Sequence, residues 1–173
     1  MEYKGELARA MNMLAEDSRV IFLGQSISYS GNAIYGTLEQ IPCSRKIELP
    51  VFEDVQLGIS IGLSLEGYLP VSIFPRMDFL IIATNQLVNH LDKIEEMSLG
   101  QFKPKVIIRT SIGSVSPLNP GAQHCQDHTE ALRCLLKNID VVKLTSEREI
   151  LPCYRRAYES QRSTVLIEMV DLY

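Results

Sequence analysis

Glu53 is the first residue of this chain whose setting suggests chemistry. It follows Glu48-Leu49-Pro50-Val51-Phe52 and precedes a stretch carrying Gly58, Gly62 and Gly67, with Val55 and Leu57 close by. A carboxyl desolvated by such neighbours can hand a proton to a ring nitrogen near neutral pH and take it back. The plainer reading makes Glu53 a first-turn acid stabilised by the helix macrodipole. A second group is His124-Cys125 with His128. Histidines four apart on a helix can chelate zinc, but further ligands at sensible spacing are lacking and Pro120-Gly121 points to a loop. A Cys125–His128 nucleophile pair has no better support.

The elements that must position these groups alternate between two periods. Short β-branched runs predict strands over 19–24, 46–49, 70–74, 106–110, 141–144 and 164–168, with the run before Glu53 read as an apolar strand reaching Pro50. Helical patterns lie between them at 6–16, 54–66, 77–97, 128–137 and 147–161. That alternation predicts an α/β fold, a doubly wound and mostly parallel sheet with helices on both faces. Near-continuous apolar strands such as Val20-Ile21-Phe22-Leu23 and Val106-Ile107-Ile108 agree with burial on both sides. Gly58 and Gly62 share one helix face, and glycine weakens a helix, so the pair predicts close approach of another backbone, within the fold or from a subunit partner. Residues 111–126, with Gly113, Pro117, Pro120 and Gly121, form the one long loop-like stretch, and loops of that length are often functional.

Composition narrows the function classes. The 173 residues predict a single domain, and 46% apolar with 22% charged residues is an ordinary globular balance. A net charge of -4 and scattered lysines and arginines argue against nucleic acid. No stretch of about 18 uncharged apolar residues is present, so no membrane partner is expected. The first residues, through Glu6, are charged and lack an apolar signal core, so a cytoplasmic location is expected. Cys43, Cys125, Cys134 and Cys153 form no Cys-x-x-Cys pair and read as reduced thiols.

Taken in order, several segments resemble the pyrimidine-binding domain of thiamine-diphosphate enzymes, as in the beta subunit of 2-oxoacid dehydrogenases and the central region of transketolase. They are Val20-Ile21-Phe22-Leu23-Gly24, Tyr29-Ser30-Gly31, Pro50-Val51-Phe52-Glu53 with its glycine-bearing helix, and Gly67-Tyr68-Leu69-Pro70-Val71. The order continues with Phe74-Pro75-Arg76-Met77-Asp78-Phe79, Val106-Ile107-Ile108-Arg109, Gly121-Ala122-Gln123-His124-Cys125-Gln126 and Leu166-Ile167-Glu168. The resemblance implies a single pyrimidine-binding domain over residues 1–173. It further implies that Glu53 bonds the cofactor's aminopyrimidine and drives proton loss from its thiazolium carbon. Phe79 matches an aromatic that stacks on the pyrimidine, and it can equally be a core phenylalanine. His124 matches a histidine at the reacting end of the cofactor, where it would stabilise or protonate a substrate oxygen.

The sequence departs from the family in three places. Gln25, which would contact the cofactor, stands where the beta subunits usually carry an acid. The serine-rich loop 26–30 is about one residue short, and the chain ends at Tyr173 without the carboxyl-terminal domain of those subunits. The family's Gly-Asp-Gly magnesium motif is missing from the sequence, and so is any Gly-x-Gly-x-x-Gly loop. No metal ligand is therefore expected here. Thiamine diphosphate and its magnesium would be completed by a diphosphate-binding partner subunit, giving a heterotetramer, with a homodimer of this chain as the alternative. The implied substrate is a 2-oxoacid for decarboxylation or a ketose for two-carbon transfer. A non-catalytic scaffold or regulatory protein of the same fold is the second reading, and a flavodoxin-like nucleotide binder the third.

Overall fold

The computed structural model describes residues 2–30, 32–116 and 119–173. Gly31 and Pro117, named above, lie outside the described residues. Six strands build one sheet: β1 (Val20–Gly24), β2 (Lys46–Glu48), β3 (Leu69–Phe74), β4 (Ile107–Ile112), β5 (Asp140–Lys143) and β6 (Thr164–Met169). They run in the order β2-β1-β3-β4-β6-β5, and every pairing is parallel. Helices α1 (Tyr3–Ala15), α2 (Glu53–Leu65), α3 (Met77–Leu80), α4 (Ile94–Met97), α5 (Thr129–Leu135) and α6 (Glu147–Glu159) cover it.

Strand side chains alternate between two cores, which explains the near-continuous apolar runs. Leu166 and Ile107 join Leu7, Met11 and Leu14 of α1 and Tyr154 of α6 on one face. Val165, Ile167 and Ile108 join Leu57 of α2, Leu87 and Leu132 of α5 on the other. Helix α6 starts at a reciprocal cap, with Ser146 accepting from the Arg148 N–H while Glu149 accepts from the Ser146 N–H.

Three expectations are corrected. The run before Glu53 is not an apolar strand reaching Pro50. Strand β2 ends at Glu48 and lies at the sheet edge, where Ile47 is 38% exposed. The helix expected over 77–97 is broken into α3, a tight turn at Ile81–Ala83, a wide π turn at Gln86–Leu91, and α4. Apolar spacing reports which face is buried, not which backbone hydrogen-bond pattern carries it. Last, of the two alternatives for the glycine pair of α2, close approach from within the fold is not found, since no backbone among the described residues presses on it. A Cβ at Gly58 would meet the Gln86 side chain at an ordinary 3.8 Å, and one at Gly62 would meet nothing within 4 Å.

Strand order reverses between β1 and β3, because β1 connects outward to β2 while β3 lies on its other side. In open parallel sheets such a reversal leaves a crevice at the carboxyl ends of the strands, where ligands bind.

Candidate functional site

Four connections meet at that crevice. Gln25 and Ser26 follow β1, Glu53 follows β2, Arg76 and Phe79 follow β3, and His124 comes from the loop after β4. The cleft holds about 300 Å³ and is lined by Gln25, Ser26, Asn32, Arg76, Phe79 and His124, among others. Gly24 makes the first turn possible: a Cβ there would stand 2.3 Å from the carbonyl oxygen of Ile73 in the neighbouring strand, closer than atoms can approach.

Glu53 opens α2 and is only 4% exposed, so the first-turn acid and the buried acid are the same group. Its Oε1 accepts a 2.8 Å hydrogen bond from Nε2 of Gln25, itself 8% exposed. The apolar neighbours read from the sequence do not bury it. Val51, Phe52 and Val55 are 73%, 60% and 46% exposed, and only Leu57 is inside. The hydrogen-bond contact of Glu53 instead reaches across 28 positions of chain. The exposed set has its own site: Leu49, Pro50, Phe52, Val55 and Ile59 border an apolar hollow of about 350 Å³ on the outer face of α2.

Phe79 and His124 meet edge to face, with ring centroids 5.5 Å apart and planes at 87°. Phe79 is half-buried and stands at the cleft rather than inside the core. His124 Nδ1 is buried without a partner among the described residues, and so is Nε2 of His128. His124, Cys125 and His128 do not converge: the Cys125 thiol donates to the Ser114 carbonyl, and His128 stands at the start of α5. Among the described residues no group of three or more His, Cys, Asp or Glu is arranged to hold a metal ion.

Three residues of this site were not singled out in the sequence. Glu48 accepts the backbone N–H groups of Ser26, Ile27 and Ser28, at 2.5, 2.9 and 2.9 Å, and so shapes the loop beside Gln25. Such a ring of successive amides is an anion nest, here filled by the chain's own carboxylate. Arg76 donates from Nη1 to the carbonyls of Gly113 and His124, the latter at 2.8 Å, tying the histidine loop to the end of β3. Asp171 accepts from the Val115 N–H at 2.9 Å and backs Gly113, whose Cβ would lie 2.9 Å from its Oδ2. Arg76 alone offered a signal, as a cation set between an apolar strand and Phe79. The other two act through contacts 21 and 56 positions apart, which no local pattern reports.

An all-parallel sheet with a polar, aromatic-walled cleft at its strand reversal defines an α/β ligand-binding domain. The family model for the transketolase pyrimidine binding domain matches residues 3–173, and the chain belongs to that family. Curated relatives include the chloroplastic pyruvate dehydrogenase subunit beta-4 of Oryza sativa subsp. japonica, 28% identical over 163 residues. That match covers 92% of this chain and 40% of the rice protein. The 2-oxoisovalerate dehydrogenase subunit beta of Bacillus subtilis (strain 168) is 26% identical over 148 residues, covering 83% of this chain and 43% of its own. This chain thus spans about two fifths of the length of the relatives it matches. Among solved structures, a split-gene transketolase described as an inactive beta4 tetramer superposes with TM-score 0.71 at 17% identity, over 96% of this chain and 50% of that one. A transketolase from Campylobacter jejuni subsp. jejuni NCTC 11168 gives 0.75 at 12% identity, over 96% and 25%. At these identities the two structures establish the fold alone.

Proposed function

We propose that this chain is the pyrimidine-binding half of a split thiamine-diphosphate-dependent enzyme acting on a 2-oxoacid or a ketose. The observation that carries this reading is the meeting, at one strand reversal, of a buried carboxylate, an aromatic wall and an imidazole with an unpartnered nitrogen. A flat heteroaromatic ring with its own donors and acceptors fits such a cleft, since it can lie against Phe79 and reach Glu53. When bound, thiamine diphosphate supplies the carbon nucleophile that attacks a substrate carbonyl.

The chain's own residues then divide the work. Glu53 holds a proton at the pyrimidine and moves it, and the low exposure of its carboxyl keeps competing water away. Gln25 fixes one oxygen of that carboxylate and leaves the other for the ring. Phe79 orients the ring plane, and His124 stands where a proton can be given to a substrate oxygen. Diphosphate and magnesium fall to a partner subunit, and the exposed apolar hollow beside Glu53 supports a covered interface there. The likeness to a split-gene transketolase whose beta4 tetramer is inactive supports the same division. Gln25 in place of the family's acid favours a second reading, a non-catalytic partner of the same fold.

Calorimetry with thiamine diphosphate and magnesium separates these readings. Tight binding is expected only after a diphosphate-binding subunit is added. Micromolar binding by this chain alone, or none by the pair, would contradict the split-enzyme reading.

A further inference from the structure

Two arginines of this chain use their guanidinium groups differently, and the difference identifies an unassigned subsite. Arg109 forks Glu168 through Nε and Nη2, at 2.6 and 2.9 Å to the two carboxylate oxygens. That edge is the one whose spacing matches a carboxylate. Arg76 spends both hydrogens of Nη1 on the carbonyls of Gly113 and His124, and its Nε and Nη2 edge has no acceptor among the described residues. None of its nitrogens is sealed in the interior without a partner, so the unused donors are reachable. Arg76 lines the cleft, and among the described residues no aspartate or glutamate lines it, Glu53 being joined to the wall through Gln25. None of the nearby carboxylates is bonded to Arg76: Glu48 is held by three amides, Asp171 by Val115 and Ser116, Glu53 by Gln25 through one oxygen, and Asp78 by Gln126 through Oδ1, its Oδ2 being buried without a partner among the described residues.

We infer that the free edge of Arg76 is a carboxylate-recognition subsite, so that the cleft selects a 2-oxoacid over a neutral ketose. The inference rests on the proposed function for the idea that a carbonyl substrate enters here. A planar carboxylate beside the reacting carbonyl would be gripped through two parallel N–H bonds, which fixes its orientation as well as its charge. His124 shares the cleft wall, and the loop that carries it is tied by the same guanidinium. Anchoring of the anion and placement of the imidazole are therefore coupled through one side chain. Arg76 is a positioning and specificity residue in this account and takes no part in proton transfer.

The subsite can be read in the isolated full chain without cofactor. The Nε–H resonance of Arg76 is followed by ¹⁵N NMR during titration with pyruvate, with hydroxyacetone as a neutral ketone of similar size and inorganic phosphate as a competing anion. Pyruvate is expected to shift the Arg76 signal and the Gly113 amide in the millimolar range, with hydroxyacetone leaving both in place. Arg76→Gln should weaken pyruvate binding about tenfold or more, and Arg76→Lys, which keeps the charge but loses the fork, should fall between. Equal response to hydroxyacetone, no response to pyruvate, or undiminished binding in Arg76→Gln would overturn the subsite. Stronger binding of phosphate than of pyruvate would overturn the carboxylate assignment in favour of a phosphorylated ligand. Should Arg76→Gln lose its folded spectrum, Arg76→Lys and the ligand comparison in the parent chain decide the question alone. Failure of the split-enzyme reading shows separately, as absent cofactor binding by the subunit pair in calorimetry.

Discussion

One face of the sheet and the crevice at its carboxyl end use buried polar groups differently. Under α1 and α6, the Arg109–Glu168 pair is fully buried, and Glu168 also accepts from the hydroxyls of Tyr154, at 2.6 Å, and Tyr173. Tyr3 packs its ring 5.9 Å from that of Tyr173 and its hydroxyl bonds Leu144 and Met169. Burial pushes the hydroxyls of Tyr154 and Tyr173 well above the ordinary tyrosine range, so they remain donors. That network is closed on itself apart from Nη1 of Arg109. At the strand reversal the same residue types are left half-used: Glu53 has one oxygen held by Gln25, Arg76 has a free edge, and His124 has a bare nitrogen. A closed network can only stabilise, whereas an open one can bind.

One substitution made in both places sharpens this contrast most. Glu168→Gln weakens the partner of a fully buried guanidinium, and breaking such a pair costs about 3–5 kcal/mol, a large part of a stability of roughly 5–15 kcal/mol. Glu53→Gln leaves an amide facing the Gln25 amide and should change stability by less than about 1 kcal/mol. Urea denaturation of the two variants checks the pair. Comparable losses would mean that the cleft carboxylate is as structural as the core one.

Tyr173→Phe tests the closed network by a smaller step. Loss of a hydrogen bond to a charged group should cost about 1.5–3 kcal/mol at neutral pH. The alkaline side has a definite sign. A tyrosine whose folded pKa is raised binds its proton more tightly when folded, so its contribution is complete below about pH 10 and is lost as pH rises beyond it. The parent chain should therefore lose stability steeply above that pH, and Tyr173→Phe less steeply. Parallel alkaline profiles from thermal melts would contradict a dry network.

Outside both regions, where Lys143 ends the edge strand β5, the expected effect is smallest. Asp127 is desolvated in part, but the Lys143 ammonium and the Thr129 N–H and hydroxyl outweigh that and hold its carboxyl down at about 2. A depressed carboxylate contributes stability above its unfolded value near 4, and loses it as pH falls toward 2. The pair is partly exposed, so Asp127→Asn should remove no more than about 1 kcal/mol. Melting curves between neutral and acid pH should converge for the variant and its parent; a constant offset would place the effect elsewhere.

The same contrast explains what the sequence could and could not reveal. Strand positions were legible to within a residue or two because both sheet faces are apolar, and continuous runs such as Val20–Gly24 have no helical competitor. Family order then located Gln25, Phe79 and His124, which the fold brings to one cleft, and Glu53, which is bonded to that wall through Gln25. Their partners stayed hidden, since Gln25–Glu53 and Arg76–His124 join positions 28 and 48 apart. Apolar letters misled at Val51, Phe52 and Val55, which look like the lining of a buried acid and are instead exposed, Phe52 and Val55 bordering the outer hollow. Ile81 and Ile82, 48% and 61% exposed, similarly gave a helical rhythm to a segment whose backbone changes pattern three times.

The most direct measurement of the account is deuterium exchange at the thiazolium carbon of thiamine diphosphate, followed by quenched-flow NMR in the reconstituted subunit pair with Glu53 intact or replaced by glutamine. An amide of the same size keeps the fold and much of the affinity but cannot move a proton to the ring. The account predicts exchange slower by roughly 100- to 10,000-fold in Glu53→Gln, with His124→Ala exchanging normally while turnover falls. Exchange as fast in Glu53→Gln as in the parent pair would reduce Glu53 to a helix-start acid and contradict the assignment of this cleft to proton transfer.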